Sequence, residues 1–104
     1  MAIDKRIQNM IDGDRDAIIG GFTSSSYVLR VNAIIQSVLH QMKDKKTESK
    51  LWYLKNDDTY VFARNAGFRV SDFACAALHL LGFAQYEGAD RAVIALINSR
   101  FKIS

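Results

Sequence analysis

Residues 70–82 read V-S-D-F-A-C-A-A-L-H-L-L-G, and their spacing decides the fold. Val70, Phe73, Ala74, Ala77, Leu78 and Leu81 recur at the three-and-four spacing that places side chains on one face of a helix. A strand would need alternation at every second residue. Alanines at 74, 76 and 77 let a neighbouring helix approach closely, and Phe73, Leu78 and Leu81 fill the gaps between them. Gly82 is positioned to end the helix in a left-handed conformation, which a residue without Cβ adopts freely.

The same periodicity recurs upstream. Val28, Val31, Ile35, Val38, Leu39 and Met42 draw a second stripe, with Arg30, Asn32, Gln36, Ser37, His40 and Gln41 largely outside it. Ala33 and Ile34 widen the apolar side, so this helix is expected to touch neighbours on two sides. The run Thr23 to Ser26 is a natural stop and restart, in which a serine hydroxyl accepts from the free N–H groups of the helix that follows. Residues 2–11 place Ile3, Ile7 and Met10 on one face of a short helix, which Asp12-Gly13 breaks. A second short helix runs from Asp14 to Phe22 and is weakened at Gly20-Gly21. The charged run Lys43 to Lys46 ends the Val28–Met42 helix, and Thr47 caps the next one, expected to continue to about Asn56. A long connection, 56–69, follows. The alternative for 51–62 is a β-hairpin, because aromatic and β-branched runs flank the polar turn KNDD. Residues 89–101 form the last predicted helix, with Ala92, Val93, Leu96 and Ile97 inward. The expectation is a single all-α domain, 1–104, of about six short helices.

Residues 70–82 resemble the second helix of a HEAT repeat, V-R-x-x-A-A-x-A-L-x-x-L-G. Val70, Ala74, Ala77, Leu78, Leu81 and Gly82 match, while Ser71 replaces the usual Arg and Cys75 an Ala. Residues 29–33, L-R-V-N-A, look like the opening of an earlier copy 41 residues before, with Gln36 and Ser37 where Ala and Leu are usual. The resemblance implies a truncated HEAT-like α-solenoid in which helical pairs stack because neither buries its apolar face alone. The terminal helices 2–11 and 89–101 would serve as caps. In kind, the chain is similar to the small helical immunity proteins that bacteria make to neutralise a toxin domain, which implies a protein partner and no catalytic role.

Composition narrows the function further. The chain has 104 residues and one cysteine, which excludes a disulfide framework. No apolar run approaches the roughly 20 residues of a membrane span, and the polar opening MAIDKRIQNM is unlike a secretory leader. A cytoplasmic protein without membrane partners is expected. The net charge of +3 arises in 43–69, where Lys43, Lys45, Lys46, Lys50, Lys55, Arg64 and Arg69 face Asp44, Glu48, Asp57 and Asp58. The first reading of this stretch is a solvated Lys-rich turn beside a core-packing helix. Its aromatics, Trp52 and Tyr60 among them, support nucleic-acid binding as the alternative function.

No catalytic set emerges. Asp12-x-Asp14-x-Asp16 opens like a calcium loop, but Ala17 stands where the turn needs Gly and Thr23 where a bidentate Glu is needed. Asp72, Cys75 and His79 share a helix face, yet zinc needs further ligands and a Cys–His nucleophile needs an orienting group and an oxyanion site. There is no phosphate-binding glycine loop, no G-x-S-x-G and no H-E-x-x-H. The chain is therefore expected to be no enzyme, with no cofactor and no metal site. The partner-binding candidates are Trp52, Tyr53, Tyr60, Phe62, Arg64 and Arg69, the residue types that dominate protein-interface hot spots.

Overall fold

Carboxylates set most of the helix starts. In the computed structural model, which describes residues 4–61 and 68–85, Asp4 caps α1 (Lys5–Ile11) and Asp14 caps α2 (Arg15–Gly21). Their side chains accept from the backbone N–H of Arg6 and Ala17, at 2.8 and 3.2 Å. The extended ψ of Asp4 starts the first helix later than the predicted 2–11. α3 spans Tyr27–Leu39, α4 Lys45–Leu54 and α5 Val70–Leu80. The described residues are thus all-α, with five helices; the predicted helix 89–101 lies outside them.

Two caps differ from expectation. Ser26 precedes α3 without a side-chain hydrogen bond to it; the serine that acts is Ser24, whose Oγ accepts from Ser26 N at 3.1 Å within the turn. The cap of α4 is Asp44, not Thr47. Asp44 Oδ1 accepts from Thr47 N at 2.9 Å and Oδ2 from Thr47 Oγ1 at 3.1 Å, so Thr47 lies a turn inside the helix and is fully buried. Lys45 and Lys46 therefore belong to the first turn of α4 rather than to a solvated turn.

Asp44 also meets Arg15 of α2, and this charged hydrogen bond, with those from Thr47, holds its carboxyl well below the usual carboxylate range against the opposing effect of burial. A depressed carboxylate stabilises the fold above the unfolded value near 3.9, and that contribution fades as pH falls through the folded value. Asp44→Ala is expected to cost about 1–2 kcal/mol at neutral pH, chiefly the lost cap, and Asp44→Asn less than about 1, because the exposed ion pair adds little. Urea melts at pH 7 and pH 3 test this: the penalty of either variant should shrink at the lower pH, and one that grew would contradict it.

Three of the five helices, α1, α3 and α5, end in one geometry. After α5, Gly82 has φ +80°, Gly82 N donates to His79 O at 3.0 Å and Phe83 N to Leu78 O at 2.8 Å, as the glycine predicted. Gly13, at φ +88°, closes α1 in the same way. α3 uses the motif without glycine. Gln41 takes φ 52°, its N–H donates to Val38 O, and Met42 N reaches Ser37 O at 2.9 Å. The helix thus stops before the charged run that was expected to stop it, and Met42 is buried beyond its end rather than on its stripe. Gln41 Nε2 also donates to Val38 O at 3.0 Å, which offsets part of the left-handed strain. Gln41→Gly should consequently be more stable than Gln41→Ala by about 1 kcal/mol in thermal melts, since only glycine removes the strain; equal stabilities would dispose of the strain argument.

α3 is the central element and packs on α1, α2 and α5; α4 packs on α5 and touches α2. This enclosure buries more of α3 than one stripe. Gln36 and Ser37, read as outside the stripe, are 6% and 0% exposed, while Val28, read as inside it, is exposed. Every stripe residue of α5 is buried, and Ala76 with them. In α4, Thr47, Leu51 and Leu54 face inward.

The hairpin alternative for 51–62 is overturned, because Leu51 to Leu54 complete α4. The helix also stops short of Asn56. The long connection instead closes on its own far end: Tyr60 forms an isolated antiparallel bridge with Arg69, with Val61 N to Phe68 O and Val70 N to Thr59 O both at 2.9 Å. Arg69 is the N-cap of α5, and its N–H is held by Asp72 Oδ2 at 2.8 Å. An arginine has no acceptor with which to return that bond.

Candidate functional site: the α4 surface and its cleft

The buried stripe 47/51/54 of α4 leaves two flanks. One carries Glu48, Trp52 and Lys55. Trp52 is 40% exposed yet held: its Nε1 donates to Glu48 Oε2 at 3.1 Å, and Lys55 Nζ lies 4.9 Å from the ring centroid. The other flank carries Lys46, Lys50 and Tyr53, spaced to share a face. Tyr53 is 72% exposed, the most exposed large apolar side chain among the described residues.

Beside this second flank lies a cleft of about 420 Å³. Phe22 and Leu54 give it an apolar floor, Thr23, Ser24 and Ser49 add polar groups, and Lys50, Tyr53, Arg30 and Asp57 complete the lining. A depression of about 200 Å³ adjoins it, sharing Tyr53 and Asp57.

Arg30 and Asp57 form the most buried ion pair of the described residues, their side chains 14% and 18% exposed. Arg30 Nε is 2.9 Å from Asp57 Oδ2 but not aligned to donate, so charge attraction rather than a hydrogen bond joins them. Nη1 donates to Ser24 O at 2.8 Å and Nη2 to Thr59 Oγ1 at 3.2 Å. Arg30 is thus engaged in tying α3 to two loops. Burial pushes the Asp57 carboxyl up, but the hydrogen bonds of Thr59 and the Arg30 charge outweigh it and leave the group below its ordinary value.

The six predicted binding residues divide into groups. Trp52 and Tyr53 stand exposed on α4. Tyr60 and Arg69 are brought together at the bridge, where Arg69 Nη2 donates to the Tyr60 hydroxyl at 2.8 Å and the guanidinium carbon lies 4.8 Å from the ring centroid. Asp58 adds a weaker charge contact to Arg69 at 3.7 Å. Phe62 and Arg64 lie outside the described residues. Sequence reasoning missed Phe22, Arg30, Ser49 and Asp57 of the cleft; the one available signal was Arg30, a lone cation within an apolar helix.

The acidic triplet is structural: Asp12 accepts from Gln8 Nε2 at 3.0 Å, Asp14 caps α2 and Asp16 lies in its first turn. Asp72 serves the start of α5, Cys75 is half-buried, and His79 is exposed. Among the described residues no group of three or more His, Cys, Asp or Glu is arranged to hold a metal ion, and no helix is long and apolar enough to cross a membrane. Comparison with protein families, with characterised proteins and with solved structures gives no match.

Proposed function

We propose that this chain is a non-catalytic protein-binding module that engages its partner through the outer surface of α4 and the adjoining cleft. The observation that carries the reading is the pairing of a restrained Trp52 and an open Tyr53 on a helix anchored by its opposite face. Aromatic anchors held before binding lose little freedom on docking. The helix pairing supports a HEAT-like arrangement: α2 packs on α3, α4 on α5, α3 on α5 and α2 on α4, as expected of two stacked helical pairs. The more concrete form of the reading is an immunity protein that binds and neutralises a cognate toxin domain.

The test is co-expression of the full chain with a toxin-like reading frame encoded beside it. Complex formation and rescue of growth are expected, and Trp52→Ala with Tyr53→Ala should weaken binding by at least 2 kcal/mol, about thirtyfold. Undiminished binding by this double variant would place the interface elsewhere. The basic residues Lys43, Lys45, Lys46 and Lys50 favour nucleic acid as the second reading. It requires affinity for oligonucleotides that falls log-linearly with salt.

A further inference from the structure

We infer that the cleft between the α2–α3 turn and α4 receives an apolar side chain from an acidic segment of the partner. This deepens the protein-binding reading and rests on it. The apolar part follows from the floor, where Phe22 and Leu54 meet the wall formed by Tyr53. The volume, about 420 Å³, lies in the range of small-ligand sites and leaves ample room for one bulky side chain.

The acidic part follows from charge. Between Lys43 and Lys55 five lysines face only Asp44 and Glu48. Asp44 is matched by Arg15, and Glu48 accepts from the Trp52 indole. Lys50 lines the cleft and Lys46 lies one turn before it on the same flank of α4, and neither joins an ion pair among the described residues. A carboxylate-bearing segment would meet this surplus at the rim. Phosphate fits the cleft itself poorly, because the Asp57 carboxylate forms part of its wall and the guanidinium of Arg30 is already committed to Asp57, Ser24 and Thr59.

The experiment titrates the isotopically labelled full chain with three end-capped peptides: Glu-Asp-Phe-Asp-Glu, its neutral form Gln-Asn-Phe-Asn-Gln, and Glu-Asp-Ala-Asp-Glu. Amide resonances of Thr23, Ser49, Lys50, Tyr53 and Leu54 should move with the first peptide and much less with the other two. Lys46→Glu together with Lys50→Glu should weaken that binding about tenfold or more; Lys46 is exposed and Lys50 half-buried at the cleft, and Tyr53→Ala provides a second variant with an exposed side chain. The inference is overturned by absence of shifts at millimolar peptide, by equal binding of the neutral peptide, by shifts confined to another surface, or by tighter binding of oligothymidine to the same residues. A partner that still requires Trp52 and Tyr53 when the acidic peptide fails would preserve the protein-binding reading and remove this one.

Discussion

Replacing Gly21 by alanine is expected to destabilise the fold by about 2–3 kcal/mol, whereas the same change at the adjacent Gly20 should stabilise it by up to about 1 kcal/mol. Both residues belong to the last turn of α2 and neither has a positive φ, so backbone conformation does not separate them. Surroundings do. A Cβ on Gly21 would meet Ala33 Cβ at 2.9 Å and the methyl of Met10 closer still, with Leu29 O at 3.4 Å. The Met10 methyl ends a flexible side chain and can shift, but Ala33 Cβ is fixed on α3, so that clash is relieved only by moving the helices apart. A Cβ on Gly20 meets nothing within 4 Å and reduces the freedom of the unfolded chain. For a domain of this size, about 1 kcal/mol corresponds to 4–8 °C in Tm, so the two variants should melt on opposite sides of the parent. Similar Tm values for both would mean that α2 and α3 are not in the close contact described.

That close approach was only half legible. Gly20-Gly21 reads in sequence as a weak helix end, because a local window shows the missing side chains and not what crosses them. The stripe of α5 was legible in full, since Val70 to Leu81 bury one face whose periodicity lies within a single helix. α3 was legible as a helix but not in its burial. Neighbours on several sides make Gln36 and Ser37 interior, and Ser37 satisfies its hydroxyl on Ile34 O at 2.6 Å, which hydropathy cannot register. Its end was missed because Gln41 does the work for which glycine is the usual sign. At α4, Asp44 and Thr47 are both good capping types, and the choice between them depends in part on Arg15, twenty-nine residues away. The candidate site divides along the same line. Trp52 and Tyr53 could be found from residue type, but the cleft beside them needs Phe22 and Arg30 from other elements, and no spacing within α4 reveals those.

Arg30→Met should destabilise the chain by about 2–3 kcal/mol, and Asp57→Ala by a similar amount. Removal of one member of a fully buried pair costs more, about 3–5 kcal/mol, and the residual exposure of 14% and 18% reduces the figure here. The loss extends past the pair. Asp57 Oδ1 accepts from Thr59 N, Asp57 O accepts from Ser71 N at 2.9 Å, and Thr59 O accepts from Val70 N, so Arg30 anchors the turn that leads from α4 to the start of α5. The double variant should lose less than the sum of the singles by at least about 1 kcal/mol, because the second change removes a charge that the first has already orphaned. The direction with pH is fixed by the lowered Asp57 carboxyl: its contribution is present above the unfolded value near 3.9 and fades as pH falls through the folded value, so the Asp57→Ala penalty should diminish in acid. Chemical denaturation of the parent, both singles and the double at two pH values measures all four quantities. Additive losses would show that Arg30 and Asp57 act separately, and the turn would then owe its position to its backbone bonds alone.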